Sequence, residues 1–270
     1  MKKSIFVASL LFAGFAIAGS TTVTNDFVLG VLPINIPSNR LEVILSVPWV
    51  AEGGRVDGIA VSNLVKTAGL KAGDEANPKN TTLLWYDPVR KDFAAWNLVS
   101  NNVDEVCINY WEEASEVEPD NAVVKQGDAV ILSFTNVTTS ASTVYVVGQV
   151  GTKAMVTNTI AGAENESSPT YILLAPPCGG TEPLDLNNLF DSSNIVSGAI
   201  NDKDEITTDI ISGLPARYVR KTINNETKWV FVYTGSDQNA VVPAGRGFWY
   251  KRCGTEPLEI KWSAPHISGN

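Results

Sequence analysis

Histidine is nearly missing from these 270 residues: there is one, His266, close to the end. Its scarcity takes the commonest general base and the commonest metal ligand away from almost the whole chain. Cysteine is scarce too. Cys107, Cys178 and Cys253 are scattered, and with one terminal histidine they make no zinc pattern. Positive charge is the third shortage. Lys plus Arg number 20 against 29 Asp plus Glu, a net charge of -9, and a chain this poor in cations is ill-suited to replacing counterions on nucleic acid. Beyond the first 18 residues, no apolar run approaches the length of a transmembrane helix. Apolar residues at helical spacing are almost absent as well, which sets aside the helical and doubly wound classes.

What is present begins with an export signal. Lys2 and Lys3 form a positive start, Ile5 to Ile17 a short apolar run, and Ala16-Ile17-Ala18 a small-residue cleavage site. Residues 1–18 are therefore expected to be a signal peptide, with Gly19 the mature start and the chain exported to the periplasm, outer surface or medium. Such a compartment permits disulfides. Cys178 and Cys253 open the similar stretches CGGTEPL and CGTEPL, so a Cys178–Cys253 bridge is expected. It would close a loop of about 76 residues, worth roughly 4.5 kcal/mol if unstrained.

Short runs rich in β-branched and aromatic residues follow one another, separated by Gly, Pro, Asn and Asp. They include 41–49, 82–86, 93–98, 129–134, 143–147, 171–175, 217–220, 228–233, 247–252 and 258–262. These read as strands and turns. Only 61–68 and 186–190 read as short helices.

The landmarks recur in order. VILSVPW matches YILLAPP, Asn63-Leu64 matches Asn188-Leu189, and VVKQGDAVIL (from Val123) matches VVPAGRGFWY (from Val241). Gly30 is matched with Gly148 and Trp96 with Trp229, and an acidic turn, Gly73-Asp74-Glu75, with 202–205. The expected fold is therefore all-β: two tandem, internally repeated sandwich- or barrel-like units, each with one short helix. They span 19–150 and 151–270. Residues 101–121, acidic and carrying Cys107, Tyr110 and Trp111, read as an insertion in the first unit.

The second unit presents the stretch 184–190 (LDLNNLF), then Asp204-Glu205-Ile206, Trp229, and the stretch 242–249 (VPAGRGFW). In this it resembles a secreted, paralogous β-repeat family of unknown function from Verrucomicrobia-type bacteria. The resemblance implies export and architecture, and brings no activity or cofactor. The first unit departs from the pattern, with Gly127-Asp128-Ala129-Val130 in place of Gly-Arg-Gly-Phe.

Three groups of residues invite chemistry. Phe248 and Tyr250 share one strand face and Trp249 takes the other, so Trp249 is a candidate for stacking on a ligand ring. Tyr110 and Trp111, among glutamates, form a second candidate platform. Asp202, Asp204 and Glu205 offer oxygens to Ca²⁺, although the glycine and distal glutamate of a calcium loop are missing. Carboxylate pairs are numerous, and their spacing in sequence does not define the separation a glycosidase needs. The expectation is a non-enzymatic, exported structural or interaction protein without cofactor. Its partner would be an envelope or extracellular protein or polysaccharide, not nucleic acid. A carbohydrate-binding module is the first alternative, and a secreted carboxylate-dependent glycoside hydrolase the second.

Overall fold

A computed structural model describes residues 29–263, apart from 39, 51–57, 68–69, 74–79, 88–89, 104–105, 115–122, 137–140, 152–154, 166, 177–182, 191–202, 212–213 and 237–239. The signal peptide, Cys178, Asp202 and His266 lie outside the described residues.

The chain forms an all-β fold of two similar units. Unit 1 runs β1 (Leu29–Ile36), β2 (Glu42–Ser46), β3 (Ile59–Ala60), α1 (Val61–Leu64), β4 (Thr81–Asp87), β5 (Asp92–Val103), β6 (Val106–Glu113), β7 (Val123–Val124), β8 (Ala129–Phe134) and β9 (Ser142–Gln149). Unit 2 repeats the series as β10 (Met155–Ile160), β11 (Thr170–Leu174), β12 (Leu184–Asp185), α2 (Leu186–Leu189), β13 (Glu205–Ile211), β14 (Leu214–Ile223), β15 (Glu226–Phe231), β16 (Val241–Val242), β17 (Phe248–Arg252) and β18 (Leu258–Ser263). Each unit has a five-stranded antiparallel sheet, ordered β2-β8-β4-β5-β6 in one and β11-β17-β13-β14-β15 in the other. Each adds a short pair, β3–β7 or β12–β16, and closes by pairing its first strand with its last, β1 with β9 and β10 with β18. The topology is thus repeated strand for strand.

Alternation explains the outer ladders. In β1, Leu32, Ile34 and Ile36 are buried while Val31, Pro33 and Asn35 are exposed. The inner strands β2 and β8 read as continuous apolar runs because both faces are covered. Val43, Leu45, Val130 and Leu132 enter the core of unit 1. Ile44, Ala129 and Ile131, on the opposite face, pack with Leu173 and Ala175 of unit 2. There are consequently two cores, one per unit, and a third apolar cluster between them. The two helices among the described residues are each a single turn. Asp185 caps α2 by accepting the Asn187 N–H at 2.8 Å, whereas Ala60 gives α1 no side-chain cap.

The register corrects three readings of the repeat. Gly30 and Gly148 are opposite each other in the β1–β9 ladder and are not equivalent positions. Both are glycine because Trp49 lies against them: a Cβ on Gly30 would stand 2.3 Å from the indole, and one on Gly148 2.6 Å from the Trp49 Cβ. Trp96 lies on β5, so it does not correspond to Trp229 on β15, the counterpart of β6. The true counterpart of Trp229 is Trp111: Leu98–Trp111 and Arg220–Trp229 are matching rungs of the two hairpins. Residues 106–113 are accordingly strand β6, the equivalent of β15, and the extra length of the first unit in this stretch is a longer β5–β6 hairpin: Trp111 follows Leu98 by 13 residues where Trp229 follows Arg220 by 9. Residues 115–121 of the expected insertion lie outside the described residues.

Candidate functional site

The expected ligand platform divides on inspection. Trp111 is buried, and its indole Nε1 donates to the Val65 carbonyl at 2.9 Å. It belongs to the core of unit 1. Tyr110, the next residue, points to the other face of β6 and is 42% exposed. The two do not form one surface, because successive strand residues face opposite ways.

Phe248 and Tyr250 are fully buried and Trp249 is half-buried on the opposite face, as the alternation requires. Trp249 stands edge-on to Tyr86 of β4 (ring centroids 5.0 Å) and to Phe93 of β5 (6.0 Å), and Tyr86 and Phe93 are themselves 5.3 Å apart. This triad bridges the units. Burial, and then the charges of Asp87 and Asp92, push the Tyr86 hydroxyl above its ordinary pKa, so it stays a neutral donor.

Glu205 and Asp204 are each engaged by arginine. The Asp204 carboxylate accepts from Arg252 Nη1 (2.6 Å), the Tyr250 hydroxyl (2.9 Å) and the Cys253 N–H (2.7 Å), all buried. Glu205 is held at both oxygens by Arg217, at 2.5 and 2.7 Å. Burial and the Asp204 charge drive the Tyr250 hydroxyl well above its usual range. The Glu205 hydrogen bond raises the Arg217 pKa. These carboxylates spend their lone pairs inside unit 2. Among the described residues, no group of three or more His, Cys, Asp or Glu is placed to hold a metal ion.

Cys253 is buried and sits just past Arg252, and burial raises its thiol pKa. Leu174 pairs with Phe248 and Thr170 with Arg252, so Pro176, two residues before Cys178, follows the far end of that ladder. The side chain of Cys107 is outside the described residues.

Sequence reasoning missed two features. The first is the seam between units. Ser46 N–H donates to the Gly245 carbonyl (3.0 Å), and Ala175 N–H donates to the Gly127 carbonyl (2.9 Å). Leu45 bridges to Arg246, and Leu174 to Asp128. The ladders set Leu45 against Val130 and Leu174 against Phe248, so Ser46 corresponds to Ala175, one residue later than the match of VILSVPW with YILLAPP places it. With Gly127 corresponding to Gly245, these bonds are related by a pseudo-two-fold axis. Gly127 and Gly245 hold φ of 93° and 70°, which aims their carbonyls across the seam. The symmetry extends outward: a Cβ on Gly127 would meet Asn158 of β10, and one on Gly245 would meet Ile34 of β1. Arg246 Nη2 also donates to the Asn35 carbonyl at 2.6 Å.

The second feature is the solvent face of β1–β9. Val31 is 53% exposed and Tyr145 39%; Pro33 is exposed beside them and Val147 half-buried. The rungs place Val31 opposite Val147 and Pro33 opposite Tyr145. The equivalent face of unit 2 exposes Met155, Thr157, Thr159, Glu259 and Lys261. One scaffold therefore carries an uncharged outer face on one unit, apolar at Val31, Pro33, Tyr145 and Val147 and polar at Asn35 and Thr143, and on the other a charged face with Met155 as its one large apolar side chain. A small pocket beneath Pro176, Pro243 and Arg246 holds about 10 Å³, the space of one water.

No protein-family model matches the chain, nor does any curated protein or solved structure. Among the described residues, no helix is long and apolar enough to cross a membrane.

Proposed function

We propose that the chain is an exported, non-enzymatic interaction protein, in which the paired units form a rigid scaffold and the outer face of β1–β9 meets an envelope or extracellular partner. The observation that carries this reading is the contrast between the Val31–Pro33–Tyr145–Val147 face and its charged counterpart in unit 2. Water-facing ladders favour polar side chains, and a contiguous apolar face marks a place where something else binds. Tyrosine suits such a surface, with an apolar ring and a polar tip. The test is a double variant, Val31→Lys with Tyr145→Ala, compared with wild type for retention on washed envelopes. Both side chains are exposed, so folding is expected to survive. The variant should lose at least tenfold in retention; equal retention would sink the reading.

A carbohydrate-binding role is favoured by a separate observation, the exposure of Phe93 (38%) beside Trp249. It expects tryptophan fluorescence to change on adding the polysaccharide and the change to vanish in Phe93→Ala.

A further inference from the structure

The seam is a two-fold interface made by unlike halves, and the difference between the halves lies close to its axis. Ala129 and Gly247 occupy equivalent positions, the first residue after Asp128 and after Arg246. A Cβ built on Gly247 would stand 2.7 Å from the Ala129 Cβ, 2.6 Å from Ile44 Cγ2 and 2.8 Å from the Leu174 carbonyl oxygen. Close-packed interiors do not admit such approaches. Two copies of unit 1 joined by this seam would set alanine against alanine and collide. Two copies of unit 2 would set glycine against glycine and leave the space unfilled, at the cost of a small cavity. Only the unlike pair fills the axis.

The seam also has what non-covalent recognition needs. Its backbone bonds come in symmetric pairs, Ser46 to Gly245 and Ala175 to Gly127. Its apolar centre joins Ile44, Ala129 and Ile131 to Leu173 and Ala175, with Leu84, Tyr86 and Trp249 around it. Each unit keeps its own core and its own first-to-last strand closure.

We propose that the seam is a recognition surface selective for the unlike unit, so that unit 1 binds unit 2 without the covalent connection and accepts unit 2 from a second copy of this chain. The partner it fits is a β unit of this kind with glycine, not alanine, at the axial position.

The experiment inserts a protease site into the connection at 150–154 of the full chain, cuts the folded protein and follows it by native size exclusion. The halves should stay together as a 1:1 complex of full-length size. Two cut preparations, one tagged on unit 2, should exchange unit 2 on mixing, and no pair of first units should form. Halves that elute separately, or first units that pair with each other, would overturn the proposal. In the cut protein, Gly247→Ala should weaken the complex at least tenfold, and adding Ala129→Gly should recover part of the loss, since the Ile44 and Leu174 contacts remain. Circular dichroism of the uncut variants checks that each unit is folded. Where Gly247→Ala unfolds unit 2, Ala129→Gly alone decides: it relieves the collision, so cut first units should begin to pair, and their failure to do so would count against the axial selectivity.

Discussion

Asp128 gives the sharpest quantitative test. Its main chain lies in the seam, bridged to Leu174, and its carboxylate is half-buried. Burial is the main influence and raises its pKa to about 6; the hydrogen bond from the Lys125 N–H (2.7 Å) and the Lys125 charge pull the other way. An unfolded aspartate titrates near its model value of 3.8. Between these two values the folded protein holds a proton that the unfolded chain has released, so stability falls as pH rises through that window. The contribution is fully present below the unfolded value and gone above about 6. The difference of about 2 units corresponds to at most about 3 kcal/mol, less whatever water reaches the half-buried side chain. Asp128→Asn keeps an oxygen for the Lys125 N–H and discards the charge. Urea unfolding at a series of pH values should find the variant more stable by about 2–3 kcal/mol at pH 7.5 and equal to wild type near pH 3.5. A difference that stays constant across pH would refute the burial argument.

Other outcomes follow from the interior of unit 2. Asp204→Ala strands Arg252 in a buried site and should destabilise by about 3–5 kcal/mol in the same urea assay; a loss under 1 kcal/mol would mean the ion pair is not buried in solution. Folded Cys253 should resist alkylation, since burial keeps its thiol protonated, and should label at least a hundredfold faster in denaturant.

Much of the architecture was legible because it rests on local chemistry. β-branched and aromatic runs marked β4, β8, β9, β11 and β17, and the Val123 and Val241 stretches align residue for residue as β7–β8 and β16–β17. The two-residue strands β3, β7, β12 and β16 are held by tertiary pairing and carry too few residues for a periodic signal. β13 begins with Glu205 and follows the buried Asp204, so its acidic start imitated a metal-binding turn; only the arginines at 217 and 252, brought in by the sheet, show what those carboxylates serve. Gly30 and Gly148 misled for a physical reason. Both face the Trp49 ring across one ladder, and partners in a ladder share a neighbourhood much as equivalents in a repeat do. Trp111 was obscured by its flanking glutamates. The signals available for it were its parity opposite Tyr110 and its separation from Trp229, the same as that between Val123 and Val241. The seam left no mark beyond the unbroken apolar character of β2 and β8, because its partners are distant in sequence.

The closure of each unit by its own opening and final strands has a consequence for how such a chain is assembled and lengthened. Entry and exit of a unit lie side by side, so a second unit can be appended through a few residues without disturbing the first. Formation is also gated by the last strand to arrive. Leu258, Ile260 and Trp262 form one wall of the second core, and until they leave the ribosome, or whatever channel delivers the chain, that core stays open along one side while the first unit is already complete.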